Sequence, residues 1–144
     1  MDKNKKERNH QRGFTLIEIM IVIGIMSLLF ALVGPNVIGL FGDAKKKAAA
    51  LQIGNYRTAL DAFYVSNGFY PTNNQGGLEA LIKKPTTGRI PENFPDKGYL
   101  KKTTIEKDPW GKDYIYTCEN GNDYTLYSAG PDGQDGSEDD VKPE

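Results

Sequence analysis

The sequence predicts an α+β fold in which one long N-terminal helix packs, by its second half, on a small antiparallel β-sheet. Three observations predict it. From Leu16 to Val33 no residue but Glu18 is charged, and nearly all are apolar. Beyond that run, Ala49, Ile53, Tyr56, Leu60 and Phe63 recur every three or four residues, which is the period of one helix face. Towards the C-terminus two strand-like runs, Tyr114 to Cys118 and Asp123 to Ser128, flank the turn-forming "ENGN". With 144 residues and a net charge of -1 the chain has room for one modest globular domain.

The first thirteen residues, "MDKNKKERNHQRG", carry Lys3, Lys5, Lys6, Arg8 and Arg12 against only Asp2 and Glu7. A basic stretch before an apolar run is also the layout of a secretory signal peptide, whose apolar region is about 7–15 residues and ends at a small-residue cleavage site. Here the run is about 18 residues long and no A-x-A site closes it; at about 1.5 Å per residue it covers most of a hydrocarbon core of about 30 Å. A retained spanning helix therefore fits better. The positive-inside tendency keeps the basic leader in the cytoplasm and puts the remainder outside. Lys45, Lys46 and Lys47 oppose that tendency weakly, because they lie further from the run and Asp43 partly balances them. Glu18 is costly in such a span, by roughly 2.5–3.5 kcal/mol on insertion scales, so a compensating interaction is required.

Gly34-Pro35 marks the exit from the apolar run, where the proline removes a backbone bond and kinks or loosens the helix. The amphipathic continuation ends at "SNG", with Gly68 supplying the C-terminal cap. In "GFYPTNNQGGLEALIKKP" a Tyr-Pro turn and a Gly-rich loop lead to a short helix from Leu78 to Lys83. The stretch to about Lys107, broken by Pro85, Pro91 and Pro95, reads as loop.

Composition excludes several function classes. Cys118 is the only cysteine, so no internal disulfide forms, and a buried position on a strand is its simplest role. The only histidine, His10, sits in the basic leader, where it is solvated; no Cys/His metal cluster, Ser-His pair or Cys-His pair can be assembled from the rest. There is no P-loop pattern. Net acidity beyond the leader disfavours a nucleic-acid partner. In the tail, "SAGPDGQDGSEDD" interleaves Asp132, Asp135, Glu138, Asp139 and Asp140 with Gly130, Gly133 and Gly136. A solvated acidic terminus is one reading. The other is a tight loop for a hard cation, since Ca²⁺ takes about six to eight oxygen ligands and glycines let the backbone turn sharply enough to supply them. An EF-hand does not fit, because Gln134 and Gly136 occupy positions its loop reserves for other residues.

The junction of Gly13 with "FTLIEIMIVIGIMSLLFALVGP" resembles the class III signal of type IV pilins and of type II secretion pseudopilins. That resemblance implies a cut between Gly13 and Phe14 by a prepilin peptidase, N-methylation of Phe14, and a division into leader (1–13), transmembrane and fibre-core segment (14–35) and globular domain (36–144). It further implies that Glu18 of an incoming subunit pairs with the Phe14 ammonium of a neighbour, with Pro35 closing the assembly segment. The alternative for Glu18, in the isolated subunit, is to snorkel to the nearby cytoplasmic interface.

"YPT", "QGGLEALIKKP", "GYLKK", "DPWGKDY" and "LYSAGPDGQDG" are similar to segments of the major pseudopilins of type II secretion systems. Two features depart from that pattern: "NNQGG" has one glycine more, and the tail is compact and ends at "VKPE". The resemblance implies a type IV pilin-like fold and one Ca²⁺ in the C-terminal loop. Its side-chain ligands would be Asp132, Asp139 and Asp140, with carbonyls near Ala129 and Gln134; Asp135, Ser137 and Glu138 rank behind them. Type IV pilins commonly staple this region with a disulfide, so a single cysteine points to the pseudopilin. The implied role is the major structural subunit of a periplasmic helical fibre of identical chains. Its implied partners are the prepilin peptidase, minor pseudopilins and an inner-membrane assembly platform, with a separate cytoplasmic ATPase driving export across the outer membrane. The alternative within the superfamily is a type IV pilin for adhesion, motility or DNA uptake. A membrane-anchored enzyme fares poorly, for want of catalytic groups.

Overall fold

The computed structural model of the chain describes residues 13–143, apart from the side chains of residues 34–38. The leader residues 1–12, His10 among them, and the side chain of Pro35 lie outside the described residues. The chain forms two compact units, the first ending at Leu40 and the second beginning at Phe41. Helix α1 (Leu16–Asn67) contributes to both and is unbroken through Gly34 and Pro35, so the proline costs a backbone bond without ending the helix.

In the first unit the start of α1 is closed by a reciprocal cap. The Glu18 amide donates to Thr15 Oγ1 at 3.2 Å, and the Thr15 amide donates to Glu18 Oε2 at 3.4 Å. This is the T-x-x-E capping box, in which two of the amides that the helix cannot satisfy internally are satisfied by each other's side chains. The segment Leu16–Val33 has a mean hydropathy of 2.8 and none of it is buried within the chain, so it is long and apolar enough to cross a membrane. Its one hydroxyl, Ser27, donates back to the Ile23 carbonyl at 2.8 Å and so is satisfied within the helix.

In the second unit the face read from periodicity is the core. Ala49, Ile53, Leu60 and Phe63 are 0% exposed and Tyr56 is 1% exposed. The side chains of Ile53, Tyr56, Leu60 and Phe63 pack in one cluster with Phe69, Leu78, Leu81, Tyr114 and Leu126. Tyr56 packs edge-on to Tyr114 with centroids 5.3 Å apart, and Phe63 edge-on to Phe69 at 5.4 Å. Such pairs add about 0.5–1.5 kcal/mol each beyond burial. The helix stops where Gly68, at φ 74°, turns its amide to the Tyr64 carbonyl at 2.6 Å.

The sheet is a two-stranded antiparallel pair, β1 (Ile115–Thr117) and β2 (Thr125–Tyr127), with Tyr116 opposite Leu126. Both strands are shorter than the sequence predicts. The residues that would extend them pair elsewhere: Asn73 Oδ1 accepts from the Cys118 amide at 2.6 Å, the Asn73 amide donates to the Cys118 carbonyl, and the Tyr70 amide donates to the Gly121 carbonyl. Residues 70–73 thus compete successfully for the backbone of the turn. The helix predicted from Leu78 to Lys83 is instead a 3-10 turn, Gly77–Leu81, and the loop before it holds a second, Asn73–Gln75, the two joined at Gly76 with φ 96°.

Ser128 and Val141 form an isolated antiparallel bridge, each amide donating to the other's carbonyl at 3.0 and 2.8 Å. The acidic tail is therefore a closed loop with both ends tied to the sheet.

Candidate functional site

Two places gather the residues singled out in the sequence. At the start of the chain's described part, Phe14 is 79% exposed and precedes the cap of α1. Thr15, which the sequence reading passed over, holds the Glu18 carboxylate by its amide. The signal was legible, since T-x-x-E before an apolar run is a helix start in its own right. A carboxylate at this end also suits the positive pole of the helix dipole, an interaction of about 0.3–1 kcal/mol at exposed sites. Cap and dipole together offset only part of the intramembrane cost of Glu18.

The second place is the loop between Ser128 and Val141. Among the described residues no three acidic, His or Cys side chains converge on one point. The candidate ligands are held by separate neighbours. Exposed Asp132 accepts the Gln134 amide at 3.0 Å, and Asp139 Oδ1 pairs with Lys46 Nζ of α1 at 3.3 Å. Asp135, ranked behind them, accepts the Tyr127 hydroxyl.

Asp140 differs from these. Its side chain is only 2% exposed, Oδ2 accepts the Gly136 amide at 3.2 Å, and Lys142 Nζ lies 3.6 Å away. Its Oδ1 is buried and, among the described residues, has no hydrogen-bond partner. A buried carboxylate oxygen left unpaired is costly, and buried polar groups of this kind are otherwise satisfied. The donor set, carboxylates and peptide carbonyls, is that of a hard cation. Ala129 is buried at the entry to the loop, whereas Gln134 is exposed at its tip.

The loop's path depends on Gly130. Its φ is 66°, and a Cβ built there would lie 2.1 Å from the Asp139 carbonyl oxygen. Gly130→Ala is expected to destabilise the domain by about 2–5 kcal/mol, the sum of left-handed strain and overpacking, in a urea denaturation series. Gly136→Ala is the control. Gly136 has φ 82° with no atom within 4 Å of its Cβ position, so only the strain remains, about 1–2 kcal/mol.

Tyrosines are expected to make the second unit sensitive to alkali. The Asp135 carboxylate, by accepting a hydrogen bond from its hydroxyl, pushes Tyr127 up to about 12. Burial raises Tyr114 and Tyr116 as well. A tyrosine of the unfolded chain ionises near about pH 10. Protonated tyrosine therefore stabilises the fold fully below about pH 10, and that contribution is lost as pH rises towards about 12. The urea midpoint is expected to fall in this window, with tyrosinate absorbance rising together with unfolding. In Tyr127→Phe the fall is shallower.

The chain combines a helix that is apolar over Leu16–Val33, a small sheet packed on the second half of that helix and a tied acidic loop. Residues 36–143 match the family described as type II secretion system (T2SS), protein G, and residues 8–34 match the prokaryotic N-terminal methylation motif. Similar curated proteins carry the name type II secretion system core protein G. The one from Escherichia coli (strain K12) is 46% identical, covering 91% of this chain and 89% of the relative. That from Pseudomonas aeruginosa is 44% identical and covers 92% of both, and that from Vibrio cholerae is 41% identical, covering 92% and 89%. The crystal structure of the major pseudopilin from the type 2 secretion system of enterohaemorrhagic Escherichia coli superposes with a TM-score of 0.63 at 34% identity, covering 74% of this chain and 88% of that one. The chain belongs to the type II secretion system protein G family.

Proposed function

We propose that this chain is the major structural subunit of a type II secretion pseudopilus. It inserts in the inner membrane with its leader in the cytoplasm and its second unit in the periplasm. A prepilin peptidase cuts it between Gly13 and Phe14 and methylates Phe14, and it then polymerises with copies of itself into a periplasmic fibre. Minor pseudopilins and the assembly platform are its other partners. The chain acts by packing and pairing and performs no chemistry of its own. One observation carries this reading: the methylation motif over residues 8–34 and the protein G match over 36–143 adjoin in a single chain. The exposed apolar surface of Leu16–Val33 supports it, because such a surface needs lipid or neighbouring helices to cover it.

The loop from Ser128 to Val141 holds one Ca²⁺ in this reading. Asp140 is its anchor, because its buried Oδ1 has no other partner among the described residues. Asp132, Asp139 and the carbonyls of Ala129 and Gln134 complete the set. The cation supplies positive charge that lets these oxygens be packed together.

Deletion of the gene in its host, with complementation by the wild-type chain, tests the role. Loss of exported proteins from the medium is the expected result. Normal export together with loss of long surface pili overturns the reading in favour of a type IV pilin. Mass spectrometry of the membrane-extracted chain should give methylated Phe14 as the first residue; an intact leader breaks the proposal at its first step.

A further inference from the structure

We propose that Asp108 is a positioning residue for the acidic loop, a role that rests on the metal reading given above. Asp108 lies in the "DPWGK" turn, outside the loop, and is 5% exposed. Its Oδ1 accepts the amides of Trp110 at 3.0 Å and Lys112 at 2.8 Å, which fixes the carboxylate rigidly in its own turn. Its Oδ2 accepts the hydroxyl of Ser128 at 2.6 Å. Ser128 is fully buried, and its Oγ in turn accepts the Gly130 amide at 3.2 Å.

Ser128 is also the residue whose backbone bridges Val141. One carboxylate therefore fixes the point at which the loop both opens and closes. Between Ser128 and Gly130 stands Ala129, whose carbonyl is a candidate ligand. The chain Asp108, Ser128, Gly130 sets the direction of that carbonyl before any cation arrives. Partners one step removed from a metal orient its ligands in this way, and their loss typically lowers affinity about 10–100-fold.

The substitution Asp108→Asn keeps the shape and leaves one oxygen for the two turn amides, but presents an NH₂ to Ser128 Oγ. That oxygen then faces two donors and its own proton must point elsewhere. Ser128→Ala breaks the same link from the other side while leaving the turn and the bridge to Val141 intact. It is the second variant should the first fold poorly.

The test uses the full-length chain in detergent micelles, titrated with CaCl₂ in a calorimeter and melted in chelator and in saturating Ca²⁺. Both variants are expected to bind Ca²⁺ about 10–100-fold more weakly and to show a smaller gap between the two melting temperatures. In chelator, hydrogen exchange at the Gly130 amide is expected to quicken in both. Wild-type affinity in the variants, with both melting temperatures lowered equally, overturns the positioning role and leaves the metal reading standing. Absence of Ca²⁺ binding by the wild-type chain overturns both.

Discussion

Glu18→Ala is expected to leave membrane insertion intact or improved and to abolish fibre assembly. Removing the carboxylate relieves the isolated subunit of roughly 2.5–3.5 kcal/mol of insertion cost. If Glu18 pairs with the Phe14 ammonium of a neighbour in the fibre, as the pilin resemblance implies, the same change leaves that ammonium uncompensated, and breaking one side of a buried ion pair costs about 3–5 kcal/mol. Both shifts push the equilibrium from fibre to membrane. The capping box with Thr15 complicates this variant, because alanine also loses the bond to the Thr15 amide. Losing such a cap costs about 1 kcal/mol. Glu18→Gln separates the two roles, since glutamine serves equally in a capping box but carries no charge. Cross-linked multimers of the chain, present in cells of the wild type and quantified by immunoblot, should be absent in both variants, with the monomer retained in the membrane fraction. Normal fibres from Glu18→Gln would show that only the cap matters and would sink the pairing.

Chelation of Ca²⁺ is expected to lower the melting temperature of the second unit substantially. A ligand present at a thousandfold its Kd stabilises by about 4 kcal/mol, which for a domain of about 100 residues is roughly 15 °C or more. Asp140→Asn sharpens the test because its sign depends on the metal. In chelator the variant should melt higher than the wild type, since it removes a buried charge whose Oδ1 has no partner among the described residues. In excess Ca²⁺ it should melt lower, having lost the anchor. Identical melting curves for the wild-type chain with chelator and with excess Ca²⁺ would remove the metal from the account.

Local pattern carried the helix face, because helical period and burial are the same geometric fact seen twice. Ala49, Ile53, Tyr56, Leu60 and Phe63 could be read in order, and all are buried. The strand ends could not be read so well. Whether Cys118 pairs across the turn or with Asn73 is decided by a contact 45 residues away in sequence, which no local preference encodes. The same holds for the acidic loop. Its glycines and carboxylates were visible, whereas the bridge of Ser128 to Val141, the grip of Lys46 on Asp139 and the buried bond from Asp108 to Ser128 depend on distant residues meeting. Thr15 is a different case. Its motif lay in plain view beside Glu18, but the conspicuous charge drew attention away from the threonine that caps with it.

The burial of Cys118 has a consequence for chemistry between copies. The thiol is 2% exposed, with Sγ 3.9 Å from the Tyr70 carbonyl. In an oxidising compartment such as the periplasm, exposed thiols of identical neighbours held side by side would join into covalent dimers. By enclosing its one thiol, the fold keeps Cys118 from joining proposed neighbouring copies covalently.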